Sequence, residues 1–337
     1  MNIEQLLLEL DNYSKRKLFD ALAKELSPDM ELGKLKDELS ENHQTSCPHC
    51  KSDKILGHGK FKDRFRYRCK ECKRTFTGLT GTSASGIHKV AEFGQFVELM
   101  VEGITIRKAA SKLKVTMGTI FTWRHKILSS LSNMNHQEFV GIVECDDKQL
   151  NISEKGNRYL ERKPYKRSND RKTKRGVSND KVSIVVACDR NGNSSMKVAK
   201  VGRIEAESLE NTIGELVSKE NILCSDSNPS IIKWTKSKDL EHHTFLANKK
   251  HVKDKCYHVQ HVNSIDNRFE RWVSGFYGIA TKYLQNYLNW FIFVEKSKKS
   301  IQQVKDMAKE IVMNIDSKAE YYMIGEKYRK LVTSTVI

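Results

Sequence analysis

Four cysteines constrain this chain more than any other residues. Cys47-Pro48-His49-Cys50 is followed, after eighteen residues, by Cys69-Lys70-Glu71-Cys72. Two Cys-x-x-Cys knuckles so placed bring four thiolates to the corners of a tetrahedron, the closed ligand set of structural zinc. Disulfide pairing is the competing use of such cysteines and belongs to oxidising compartments. Between the knuckles lies a glycine turn at Gly57 and Gly59, then basic and aromatic residues interleaved through Phe61, Arg64, Phe65, Arg66, Tyr67 and Arg68. That pattern predicts a β-ribbon, so residues 45–80 are expected to form a zinc ribbon with Zn2+ on Cys47, Cys50, Cys69 and Cys72. Cys145, Cys188, Cys224 and Cys256 are scattered and read as small core hydrophobes.

Charge narrows the class of partner. The 337 residues carry 59 Lys and Arg against 42 Asp and Glu, a formal net charge of +17, with 38% apolar residues. Such a length implies two or three units, one of them with a full core. The longest apolar stretches, Val182 to Cys188 and Tyr287 to Val294, fall far short of the ~20 residues a membrane-spanning helix needs. The start, Met1-Asn2-Ile3-Glu4, lacks the basic and apolar regions of a secretory signal, so a cytoplasmic location without a membrane partner is expected. A strong positive balance points to nucleic acid. The charge is concentrated: Lys155 to Arg175 holds ten basic and two acidic residues, a net +8. Arg162, Lys163, Arg167 and Arg171 in this segment are expected to contact the phosphate backbone of DNA without reading bases.

The chain divides by pattern. Residues 1–44 read as an N-terminal helical region, with Leu6, Leu7 and Leu10, then Leu18, Leu22 and Leu26, at helical spacing. Residues 88–135 have helix-turn-helix proportions: Ile106 to Leu113 forms a first helix, Lys114-Val115 turns, and Thr116 caps a second helix with Ile120 and Trp123 inward. Thr119, Thr122, Arg124, His125 and Lys126 are then expected outward, facing DNA. From residue 139 the period changes. Phe139 to Cys145 reads as a strand ending in Asp146-Asp147. Lys181 to Cys188 and Ser194 to Val201 read as a hairpin about Asn191-Gly192. Ala206 to Lys219 is helical, Asn221 to Ser225 a strand ending at Asp226, Ser230 to Ser237 a helix, His243 to Ala247 a strand, and Val262 to Phe276 a helix. The order β-β-β-α-β-α-β-α is that of an α/β ribonuclease-H-like domain with a mixed sheet, here over residues 139–295. Residues 296–337 form an amphipathic, basic, helical tail. The expected fold class is thus multidomain, a zinc ribbon plus helix-turn-helix followed by that catalytic domain.

In this topology Asp146 and Asp226 end neighbouring strands. Two adjacent carboxylates repel unless a divalent cation lies between them, and hard oxygen ligands select Mg2+ or Mn2+. Two such ions ~4 Å apart serve an in-line phosphoryl transfer. His258 and His261 could suggest a transition-metal site, but no Cys or carboxylate cluster completes it.

Several motifs share an order and spacing: Val143-Glu144-Cys145-Asp146-Asp147, Lys155-Gly156, Arg162-Lys163-Pro164, Lys174-Arg175-Gly176, Ala187-Cys188-Asp189-Arg190-Asn191-Gly192, Ser225-Asp226, Tyr257-His258-Val259-Gln260-His261-Val262-Asn263, and Gly278-Ile279-Ala280-Thr281-Lys282-Tyr283-Leu284 with Tyr287-Leu288. Over residues 45–295 the chain resembles a bacterial insertion-sequence transposase with an N-terminal zinc ribbon, a helix-turn-helix and an ISXO-type DDE (ribonuclease-H-like) catalytic domain. The resemblance implies that Asp146 and Asp226 bind catalytic Mg2+ or Mn2+. It also implies that the ribbon and helix-turn-helix recognise terminal inverted repeats of double-stranded DNA, and that a homo-oligomer joins the ends beside nucleoid DNA. The third catalytic residue is Asn263, matching the Asn form of the family, or Asp266 one helical turn on. The family commonly has Lys seven residues after that position, where this chain has Glu270 followed by Arg271. A DNA-binding regulator, a lapsed transposase remnant without strand-transfer activity, and a nuclease on the same fold are the rival readings.

Overall fold

The computed structural model describes residues 45–61, 64–101, 103–132, 138–160, 179–246, 252–254, 256–297, 312, 314 and 317–333. The helices expected for residues 1–44 lie outside them, as do Arg162, Lys163, Arg167 and Arg171. The described residues group into two compact units that part between Arg124 and His125.

In the first unit the knuckles fold as the ribbon pattern predicts. Strands β1 (Ile55–Phe61), β2 (Arg64–Cys69) and β3 (Thr75–Thr77) form an antiparallel sheet in that order. Its small core is Cys47, Cys69 and Phe76, with Tyr67 stacked on Phe76 at 5.6 Å. So little apolar area is thin support for a module on its own.

Three helices follow: α1 (Val90–Val101), α2 (Ile106–Leu113) and α3 (Met117–Ser130). The Thr105 side chain caps α2 by accepting from Lys108 N, and Lys114 closes it in the left-handed region at φ 51°. Thr116 Oγ1 accepts from Thr119 N and caps α3. Ile120 and Trp123 point inward as expected, Trp123 edge-on against Phe93 at 5.5 Å. Arg124 and His125 do not face outward. Arg124 is buried and donates to the Ile104 carbonyl. In the second unit His125, also buried, stacks on Tyr283 at 4.0 Å. From Trp123 onward α3 is enclosed on nearly every side, so an outward face survives only toward its start, where Thr119 and Thr122 stay partly exposed; Lys126 is half-buried.

The second unit is built on a five-stranded mixed sheet of order β6-β5-β4-β7-β8. Its strands are β4 (Ile142–Asn151), β5 (Lys181–Asp189), β6 (Ser194–Val201), β7 (Ile222–Asp226) and β8 (Glu241–Phe245). β5 is antiparallel to β4 and to β6, whereas β7 and β8 run parallel to β4. Helices α4 (Ala206–Ile213), α5 (Pro229–Lys238) and α6 (Gln260–Ser274) complete the order read from the sequence; α7 (Leu284–Ser297) follows as a fourth helix beyond it, and α8 (Ser317–Thr333) lies within the expected tail.

The continuous apolar run of β5 reflects burial on both sheet faces. On one face Val143, Cys145, Val185, Ala187 and Leu223 pack against Leu209 and Ile213 of α4 and Ile231 and Trp234 of α5. On the other, Val182, Ile184 and Val186 pack against Val262, Ile265 and Phe269 of α6 and Leu288 and Phe291 of α7. Each such side chain contributes about 1.5–3 kcal/mol on burial. Cys145, Cys188 and Cys224 are core residues as expected, but Cys256 is exposed.

One strand end differs from expectation. β4 does not stop at Asp146; it pairs with β5 from Val143↔Asp189 to Asn151↔Lys181. What stops there is the parallel ladder to β7, whose last pair is Cys145↔Ser225. Asp146 is thus mid-strand toward β5 and beyond the ladder toward β7.

Candidate metal and DNA-processing site

Alternation along β4 sends Glu144, Asp146 and Lys148 to the face covered by α6. All three meet that helix or its charges in order. Glu144 accepts from the backbone N of His261 and Val262 at 2.8 and 3.0 Å. Asp146 feels the charges of Asp226 and Asp266. Lys148 pairs with Glu270 at 2.7 Å. Strand and helix therefore run side by side in one direction, with Asp146 midway.

Asp226 enters from the end of β7, one residue past the last parallel pair. Asn228 ties this edge together. Its backbone N donates to Asp226 Oδ1 at 3.1 Å, its Nδ2 donates to Asp147 Oδ1 at 2.7 Å, and its Oδ1 caps α5 by accepting from Ser230 N. Asn-Pro at 228–229 is a helix-start signal, so this residue is legible as a cap but not as a partner of the aspartates.

The electrostatics are those of anions held together without a counter-ion. Burial and then the Asp226 charge push Asp146 up to about 7, despite the Asp147 amide that donates to it. Burial raises Asp226 too, with Asp147 adding to it. Burial likewise lifts Asp266 to about 6, Lys148 pulling the other way. Asp266 Oδ1 is buried and has no hydrogen-bond donor. A buried carboxylate oxygen without a donor is costly unless a cation meets it, and that fits the donor set to a hard divalent ion. Asp266 adds its negative charge to those acting on Asp146, whereas Asn263 is uncharged. Asn263 is exposed.

Tighter groups lie elsewhere. Among the described residues, ligand atoms fall within 4.8 Å of one another in two sets, Cys47/Cys50/Cys69/Cys72 and Glu144/His258/His261. In the first, Sγ–Sγ distances of 3.6 Å link Cys47 to Cys72 and Cys50 to Cys69. A tetrahedral ion with ~2.3 Å bonds to sulfur requires about 3.8 Å, so the cysteines fit zinc.

The second set supplies the carboxylate that the sequence does not reveal beside His258 and His261. It already holds a cation. Arg190 Nη1 contacts Glu144 Oε1 at 2.6 Å and both histidines, and Nη2 donates to the Cys256 carbonyl. Burial and then Arg190 lower His258. Glu144, 1% exposed, thus clamps the first turn of α6 to β4, and the guanidinium neutralises it.

Residues 138–295, which contain every aspartate of this site, match the ISXO2-like transposase domain family. Over those residues the chain is similar to the ISXO2-like transposase domain. A curated relative is the uncharacterized protein in transposable element ISH50 of Halobacterium salinarum, 29% identical over 152 residues, covering 43% of this chain and 49% of that protein. The chain therefore spans about half the length of the curated relative it matches. Among solved structures, a pre-cleavage Mos1 transpososome aligns at 14% identity over 72% of this chain and 78% of that chain, with a TM-score of 0.19. The Mos1 paired-end complex with the left transposon end aligns at 13% identity, with the same coverages and a TM-score of 0.20. Both superpositions are loose. Among the described residues, no helix is long and apolar enough to cross a membrane.

Proposed function

We propose that this chain is a DNA transposase that binds the terminal inverted repeats of an insertion sequence and cleaves and joins DNA strands at a Mg2+ or Mn2+ centre. The observation that carries this reading is the convergence of Asp146, Asp226 and the donor-less Asp266 within the transposase domain. Asp146, Asp226 and Asp266 would hold divalent ions, whose chemistry when bound would be activation of a water or 3′-hydroxyl and charge stabilisation of the leaving oxygen in an in-line phosphoryl transfer. The chain's own residues do the rest. Asp146 and Asp226 hold the ions from adjacent strands, and Asp266 completes the set from α6 in place of Asn263. Asn228 fixes the Asp226 and Asp147 carboxylates, and Glu144 sets the start of α6. Lys148 supplies a positive charge beside the centre and is held by Glu270, which stands where the family commonly has Lys. The buried, donor-less Asp266 beside Asp146 and Asp226 supports the active reading over a regulator, which needs no third carboxylate.

The remaining parts serve recognition. Zn2+ on Cys47, Cys50, Cys69 and Cys72 makes the N-terminal sheet a zinc ribbon, and α2 with α3 forms a helix-turn-helix that meets DNA through Thr119, Thr122 and Lys126. Arg162, Lys163, Arg167 and Arg171 grip phosphates. Two DNA ends require a homo-oligomer on nucleoid DNA in the cytoplasm. The test is Mn2+-dependent cleavage and strand transfer with the inverted repeats that flank the gene. Asp146→Asn or Asp226→Asn abolishes cleavage and leaves end binding nearly intact. Either variant cleaving within a few-fold of the parent would contradict the proposal.

A further inference from the structure

The far end of the β4–α6 pair carries a feature the metal centre does not explain. Two tyrosines stand almost wholly in solvent, Tyr159 at 90% and Tyr277 at 92% exposure. They lie on two loops that are locked together. Lys155 Nζ donates to the carbonyls of Phe276, Tyr277 and Gly278 at 3.2, 3.1 and 2.8 Å, using all three protons. Thr281 N donates to the Ser153 carbonyl, and Ser153 N donates to Thr281 Oγ1, both at 2.8 Å.

Tyr277 is also strained. Its φ is +52°, the left-handed region that favours glycine, followed by Gly278 at +95°. Two residues past Gly275, the C-cap of α6, glycine at 277 would adopt this left-handed turn at lower cost. A bulky aromatic is instead held in an unfavourable backbone conformation with its side chain in water, and Arg158 and Tyr159 stand exposed on the loop that Lys155 ties to it. Strain retained without burial points to a ligand, and an exposed aromatic among basic side chains suits the face of an unpaired nucleobase.

We propose that Tyr277 is a stacking post for an unpaired base of the DNA held across the metal centre, with Tyr159 presented beside it by the Lys155 clamp. Asp266 and Ser274 are about 12 Å apart along α6 at ~1.5 Å per residue, which places the post roughly three to five nucleotides from the reacting phosphate. The inference rests on the DNA-processing reading above and adds to it a contact with a single-stranded segment.

The experiment compares the full-length parent with Tyr277→Gly and Tyr277→Phe. The probes are a fluorescein-labelled blunt duplex of random sequence and the same duplex with a six-nucleotide overhang carrying 2-aminopurine. The parent binds the overhang DNA about five-fold or more tightly than the blunt one, as one stacked base provides, and quenches the 2-aminopurine. Tyr277→Phe keeps both effects. Tyr277→Gly loses both while its melting temperature equals or exceeds the parent's, a split that a purely structural tyrosine would not give. The inference is overturned if Tyr277→Gly retains the overhang preference, if Tyr277→Phe loses it, or if the parent shows none while binding the blunt duplex. Overhang preference with no cleavage activity would instead count against the catalytic reading alone, and a parent that binds neither DNA would sink both.

Discussion

Asp146 concentrates the physics of the site. Its carboxyl is raised to about 7 by burial and by Asp226, whereas in the unfolded chain it titrates near the usual 3.8. A carboxyl raised on folding contributes stability that is full below its unfolded pKa and is lost as pH rises through the folded value. The metal-free protein should therefore lose stability between about pH 4 and about pH 7, and a divalent ion should restore it on the alkaline side. His242, held down to about 4 by burial and by His243, acts oppositely as the solution is acidified. The quantity to read is thus the difference between the parent and Asp146→Asn in calorimetric melts across this range. The variant should flatten the decline, and Mn2+ should raise the parent's melting temperature more at about pH 8 than at about pH 5.5. Equal Mn2+ stabilisation at both pH values would speak against Asp146 as a ligand.

At the scale of elements, local signals are the most legible. The Cys-x-x-Cys knuckles, the Asn191-Gly192 hairpin and the Thr116 cap are decided by a few adjacent residues, and each appears where the pattern places it. The length of β4 is hidden because Asp146, Asp147 and Lys148 look like a strand end, although the ladder to β5 continues through all three. The outward face expected of α3 fails because burial of Arg124 and His125 depends on Ile104 and Tyr283, far away in sequence. Glu144 cannot be seen as a clamp for the same reason: its partners Arg190 and His261 come from other elements. Asp266 and Asn263 are an open choice in the sequence; the burial of a donor-less Asp266 Oδ1 and the exposure of Asn263, which favour the aspartate, depend on the fold. The ribbon gives the element-scale prediction. Cys50→Ser or Cys72→Ser should unfold the module and weaken DNA binding, since coordination supplies most of its folding energy. Metal analysis of protein purified without chelator should find zinc in the parent and less in the variants; a zinc-free parent would refute the assignment.

For the whole molecule the governing quantity is a net charge of +17. The segment Lys155 to Arg175 leaves the end of β4 and holds +8 of it. Replacing Arg162, Lys163, Arg167 and Arg171 by Ala should weaken binding to every duplex and flatten the salt dependence of log K by up to about 0.9 for each phosphate no longer neutralised. Preference for cognate ends over random DNA should barely change, and a selective loss on cognate DNA would mean that the segment reads bases. Binding, however, is common to transposases and regulators alike; the metal centre separates them. The most direct measurement is therefore Mn2+-dependent strand cleavage by Asp266→Asn beside Asn263→Ala, each with its melting temperature to verify folding. Three aspartates at the centre predict that Asp266→Asn loses cleavage as completely as Asp226→Asn while Asn263→Ala stays within several-fold of the parent. Full activity in Asp266→Asn with loss in Asn263→Ala would contradict it.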